Sequence, residues 1–125
     1  MQTDEMKFGR LSERIIGSAI AVANTLGVGF LETVYENALA HELRKQGLSV
    51  EQQHGVIVRY DDVVVGEYTV DLLVDNRVPV ELKAVRVLDD IHRAQCLNYL
   101  RATGHQLCLL INFGNPRLEI KRLVL

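Results

Sequence analysis

The segment from Val63 to Lys83 constrains the fold of this chain more than any other part of it. Two runs rich in β-branched residues, Val63 to Val74 and Val78 to Lys83, flank the turn formers Asp75-Asn76-Arg77. A turn centred on Asn76 pairs Val74 with Val78, Leu73 with Pro79, Leu72 with Val80, and Asp71 with Glu81. Side chains alternate across a strand, so Val70, Leu72 and Val74 share an apolar face with Val80, Leu82 and Ala84. Asp71, Glu81 and Lys83 take the opposite face. Like charges opposed across a strand pair are destabilising by roughly 0.2–1 kcal/mol when solvated, and by more when partly buried. A hard divalent cation such as Mg²⁺ offsets that repulsion, because it prefers one or two carboxylates completed by water and phosphate oxygens. Lys83 beside it can orient a water or stabilise negative charge developing on phosphorus. On these three residues alone, solvent-facing charges of a half-exposed sheet, with Lys83 in a diagonal ion pair, are an equally available reading.

The rest of the chain builds around this hairpin. Ile15, Ile16, Ala19, Ile20, Val22 and Ala23 recur at helical spacing, predicting a first helix from Leu11 to Leu26 with Ser12 as cap and Gly27 as stop. A second helix is expected from Phe30 to Gln46, closed by Gly47. From Val50 the texture becomes β, and Val56 to Tyr60 with the Asp61-Asp62 turn completes an antiparallel meander. Asp89 or Asp90 caps a third helix running to about Thr103, ahead of Gly104. Leu107 to Asn112 and Leu118 to Leu125 read as final strands. The expected order is α-α-β-β-β-α-β-β in one domain spanning residues 1–125, without repeat or linker.

Two polar residues fall inside apolar stripes. On a helical wheel, Glu32 lands among Leu31, Val34, Tyr35, Ala38, Leu39 and Leu43, where a carboxylate needs a cation, a strong donor or a proton. Its placement in the first turn, favourable to the helix dipole, is the plainer alternative. In the third helix Gln95 sits among Leu88, Ile91, Tyr99 and Ala102, one turn from Tyr99. An amide and a phenol so spaced can reach a common partner, whereas a satisfied core glutamine is the plainer alternative.

These residues carry a resemblance. The run Gly29-Phe30-Leu31-Glu32-Thr33-Val34-Tyr35 resembles the signature of the GxxExxY family, small bacterial and archaeal proteins of the PD-(D/E)XK nuclease superfamily. Asp71, then Glu81-Leu82-Lys83, then Gln95 to Tyr99 as QxxxY, then Leu110-Ile111-Asn112-Phe113-Gly114 follow in the family's order, covering nearly the whole chain from about Leu11. Val70 stands where the superfamily's nominal motif has proline. The resemblance implies an α/β fold with a restriction-endonuclease-like α-β-β-β-α-β core, a mixed central sheet flanked by helices. It implies that Glu32, Asp71 and Glu81 hold Mg²⁺ or Mn²⁺, that Lys83 assists the attacking water, and that Gln95 and Tyr99 complete the catalytic set. The implied activity is hydrolysis of phosphodiester bonds in DNA.

Composition sets limits on this reading. With 48% apolar and 24% charged residues the chain is composed as a folded soluble protein. Its net charge of −2 gives no general attraction to a polyanion, so DNA contact requires a local basic patch or a bound cation. Arg86, Arg93 and Arg101 around the third helix are candidates for such an edge. Cys96 and Cys108 lack metal or redox spacing and read as buried thiols of a cytoplasmic protein. The acidic start differs from a signal peptide, and no apolar run approaches the roughly 18 residues of a membrane span. The scattered histidines argue against zinc, Gly27-Val28-Gly29 lacks the context of a dinucleotide loop, and no organic cofactor is expected. Leu97 and Leu100, off the main stripe of the third helix, suggest a possible homodimer. A non-catalytic interaction module and a hydrolase of smaller phosphoesters remain as alternatives.

Overall fold

The computed structural model describes the backbone from Asp4 to Leu125 and side chains from Gly9 onward. Its elements are α1 (Asp4–Leu26), α2 (Glu32–Lys45), β1 (Val50–Tyr60), β2 (Val63–Val74), β3 (Val78–Lys83), α3 (Asp90–Thr103), β4 (Cys108–Asn112) and β5 (Glu119–Leu123). The expected order holds throughout. The five strands form one mixed sheet in the order β1-β2-β3-β4-β5, with β3 and β4 parallel and the other neighbours antiparallel. The parallel pair requires a crossover, and α3 supplies it.

Helices cover both faces. Ile15, Ala19, Tyr35, Leu39 and Leu43 of α1 and α2 pack with Leu72, Val74, Val80, Leu82, Leu109 and Ile111 in the main core. A smaller cluster on the other face joins Cys96 and Leu100 of α3 to Cys108 and Leu110 of β4. Leu100 is therefore fully buried and unavailable to a second copy, whereas Leu97 packs against the same cluster and stays partly exposed. Cys96 and Cys108 are buried free thiols, as expected. Among the described residues no helix is long and apolar enough to cross a membrane.

The first helix begins well before Leu11. Ser12 is consequently an internal helical residue whose hydroxyl bonds back to the Gly9 carbonyl at 3.0 Å and accepts from Arg122. The third helix follows its sequence signals closely: Asp89 and His92 form a reciprocal capping box, and Gly104 ends the helix at φ 79°.

The connection after β3 is locked to β4. The Phe113 N–H donates to the Lys83 carbonyl at 2.8 Å, extending the parallel ladder. Buried Asn112 then satisfies both backbone groups of Val85, accepting from its N–H at 3.0 Å and donating to its carbonyl at 2.8 Å. Gly114 passes so close that a Cβ there would lie 2.0 Å from the Val85 carbonyl oxygen. Neither backbone can yield without breaking the Asn112 clamp. Gly114→Ala is expected to cost about 3 kcal/mol, the upper end for overpacking, read as a fall of about 10 °C in thermal midpoint.

Candidate metal centre

The turn at Asp75 and Asn76, both in left-handed backbone, fixes the register expected for β2 and β3: Val74 pairs with Val78, Leu73 with Pro79, and Leu72 with Val80. The ladder then stops, and Asp71 and Glu81 stand where the strands part. In place of a backbone pair, the Asp71 carboxylate accepts the Leu82 N–H at 2.8 Å through Oδ2. Its Oδ1 accepts from the Gln53 side chain at 3.0 Å.

Glu81 is 5% exposed. Burial first, then a hydrogen bond to the Asp71 carboxyl and the Asp71 charge, push its pKa from 4.5 up to about 10, against a smaller opposing pull from Lys83. Glu81 therefore keeps its proton at ordinary pH. Lys83 is half-buried on the same strand face and makes no ion pair within 4.0 Å among the described residues. Its charge acts on Glu81 without neutralising it.

The other expected site residues are placed differently. Glu32 opens α2 as an exposed first-turn acid beside Ala84, the residue after Lys83. The stripe that α2 buries is Tyr35, Glu36, Leu39, Ala40 and Leu43. The carboxylate buried within that stripe is Glu36; Glu32 points in the same direction as Leu39 and Leu43 but stands in the exposed first turn of the helix. Glu36 is 7% exposed and accepts from Gln52 at 2.8 Å and Gln53 at 2.6 Å. Glu32 does not join Asp71 and Glu81: among the described residues no three acidic, histidine or cysteine side chains stand together as a metal-binding group.

Gln95 is also exposed, as is Ile91, because α3 lies on the sheet through Cys96, Tyr99 and Leu100. Tyr99 turns inward, away from Gln95. Its hydroxyl lies 2.7 Å from His54 Nδ1 and its ring stacks on His105. Burial pushes the Tyr99 phenol up to about 12, so the neutral phenol persists at ordinary pH and serves as a hydrogen-bonding group. Glu36, Gln53 and His54 carry no sequence signal that separates them from ordinary polar residues, apart from the spacing of Glu36 with Leu39, Ala40 and Leu43.

The residues present fit a divalent cation at Asp71 and Glu81. Two adjacent carboxyl groups suit a hard ion that takes one or two carboxylates and fills its remaining positions from solvent and substrate. An ion held there would take the place of the Glu81 proton and offset the repulsion between the two carboxylates.

The fold and this constellation define an α/β protein with two acids and a lysine at the point where neighbouring strands of a mixed sheet diverge. A family model described as the PD-(D/E)XK nuclease superfamily matches residues 9–123, and the chain belongs to that superfamily. Its mixed five-stranded sheet between helices is consistent with the restriction-endonuclease-like architecture. No curated protein and no solved structure matches the chain.

Proposed function

We propose that the chain is a metal-dependent nuclease of the GxxExxY type that hydrolyses phosphodiester bonds of DNA, using Mg²⁺ or Mn²⁺. The observation that carries this reading is the Asp71–Glu81 acid pair where β2 and β3 part, with Glu81 buried and Lys83 on the same face. Superfamily membership gives nuclease chemistry as its general expectation. A divalent ion, when bound, makes bound water more acidic and neutralises charge on the scissile phosphate. Asp71, fixed through both oxygens, and Glu81, once deprotonated, would hold it. Lys83 provides a fixed positive charge beside them, able to orient the attacking water or to stabilise the charge developing on phosphorus.

DNA contact falls to the rim rather than to net charge. Arg86, Arg93, Arg101 and Gln95 are all exposed on or before α3, the helix that shares a sheet face with Glu81. Exposed Glu32 lies beside Ala84, one residue beyond Lys83, outside any three-residue acid group among the described residues. Buried free thiols fit a reducing cytoplasm.

Calorimetric titration with Mn²⁺, paired with cleavage of plasmid DNA, tests the reading on wild type and Asp71→Ala. Wild type is expected to bind the ion and cut. The variant is expected to lose about 100-fold in affinity and to lose cleavage. A wild type that binds no ion, or a variant equal to it in both measurements, overturns the proposal.

A further inference from the structure

Gln53 has the least comfortable backbone near the acid pair. It sits inside β1, yet its φ is +54°, in the left-handed region that a glutamine seldom occupies and that favours glycine and asparagine. On either side the β1–β2 ladder is regular, with Gln52 opposite Leu72 and His54 opposite Val70. At the position between them, Gln53 against Asp71, the pairing is interrupted.

What the distortion achieves is visible in the side chain. Gln53 Nε2 donates to Glu36 Oε1 at 2.6 Å and to Asp71 Oδ1 at 3.0 Å. An amide group has two hydrogens, and both are spent on carboxylates carried by different elements, α2 and β2. Both partners accept, so the amide's orientation is fixed by chemistry rather than by choice. Glu36 is itself held by Gln52 through its other oxygen at 2.8 Å. Asp71 Oδ2 is occupied by the Leu82 N–H. The Asp71 carboxylate is thereby pinned at both oxygens, once by its own sheet and once by a bridge to a buried acid that never reaches the centre itself.

We infer that Gln53 is a positioning residue for the metal-binding carboxylate Asp71, and that its left-handed backbone is retained for the amide bridge it sets between Asp71 and buried Glu36. The inference rests on the metal reading proposed above. A strained backbone that persists in a strand interior is stabilised by its surroundings, and such positions concentrate where geometry matters for function. A residue present only to shape the strand would serve better as glycine, which accepts positive φ freely.

The two roles separate experimentally. Gln53→Gly and Gln53→Asn both accommodate positive φ, and neither spans from β1 to both carboxylates. Thermal denaturation and calorimetric titration with Mn²⁺ are measured on the full chain for wild type and both variants. The expected result is a thermal midpoint equal to or above wild type in both, with Mn²⁺ affinity lower by about tenfold, as for loss of an outer-shell partner. Affinities within twofold of wild type overturn the inference. So does a fall of about 5 °C or more in midpoint that accompanies the affinity loss in both variants, since the residue would then act by maintaining the strand. A wild-type chain that binds no Mn²⁺ overturns the metal reading and this inference with it, whereas wild-type binding with unaltered variants overturns the bridge alone.

Discussion

Raising the pH from 6.5 to 8.5 is expected to destabilise the metal-free protein, and Glu81→Gln is expected to remove most of that loss. Glu81 has a folded-state pKa of about 10 against an ordinary value of 4.5. Between those values the folded chain holds a proton that the unfolded chain has released. Unfolding therefore liberates a proton, and higher pH favours it. This contribution is fully present below about 4.5 and is lost as pH rises through about 10, with a slope of up to about 1.4 kcal/mol per pH unit. Across the chosen window the loss approaches about 3 kcal/mol. His105 works in the opposite sense, since burial first and His54 second hold its imidazole below the usual 6.5, so its contribution is confined to lower pH. The thiol of Cys108, raised by its hydrogen bond to Cys96 and by burial, enters only above the window. A glutamine at position 81 keeps a donor for Asp71 and has no proton to lose. Its thermal midpoint should stay nearly flat and exceed wild type at pH 8.5. Saturating Mn²⁺ should likewise flatten the wild-type curve, because the ion takes the place of the proton. Parallel curves for wild type and Glu81→Gln without metal would show that Glu81 is not the proton holder.

The parts of the centre that were legible in the sequence are those set by short-range rules. The turn at Asp75-Asn76 fixes the register of β2 and β3, and strand alternation then puts Asp71, Glu81 and Lys83 on one face. Helix faces were harder to read. The wheel places Glu32 between Leu39 and Leu43, and those two are buried, but Glu32 itself stands in the exposed first turn of α2, while the buried arc extends past Leu43 to take in Glu36 and Ala40. In α3 the same uncertainty exchanges Gln95, which faces solvent, for Cys96, which does not. Where each helix meets the sheet, around its axis in α3 and along its length in α2, is decided by the sheet beneath, which a one-dimensional pattern does not contain. Gln53 lies beyond sequence reading for a different reason: nothing in Val50-Glu51-Gln52-Gln53-His54 marks a reversal of φ, and its partners are 17 and 18 residues away. The interruption of the β1–β2 ladder and the end of the β2–β3 ladder meet at Asp71, so long-range contacts complete what the hairpin begins.

Lys83→Met is expected to lower single-turnover DNA cleavage by about 10²–10³-fold, while changing Mn²⁺ affinity by less than about tenfold. Methionine keeps the apolar stem of the half-buried side chain and removes the charge, so packing beside Leu82 and Ala84 is largely retained. The loss corresponds to about 3–4 kcal/mol of transition-state stabilisation, in the range found when one preorganised charge or donor is removed. Two effects on metal binding oppose each other. Lys83 repels an incoming cation, but it also draws the Glu81 pKa downward and so eases the release of the proton the cation must displace. Their partial cancellation separates this variant from Asp71→Ala, which removes a ligand and should fail in binding first. Rapid-quench cleavage at saturating Mn²⁺, set beside calorimetry on the same preparation, reads both quantities. A Lys83→Met rate within threefold of wild type would exclude Lys83 from the chemistry. A parallel collapse of affinity and rate would make Lys83 a support for the acid pair instead. Loss of rate with affinity retained is the pattern that follows from a lysine placed beside the two acids but bonded to neither.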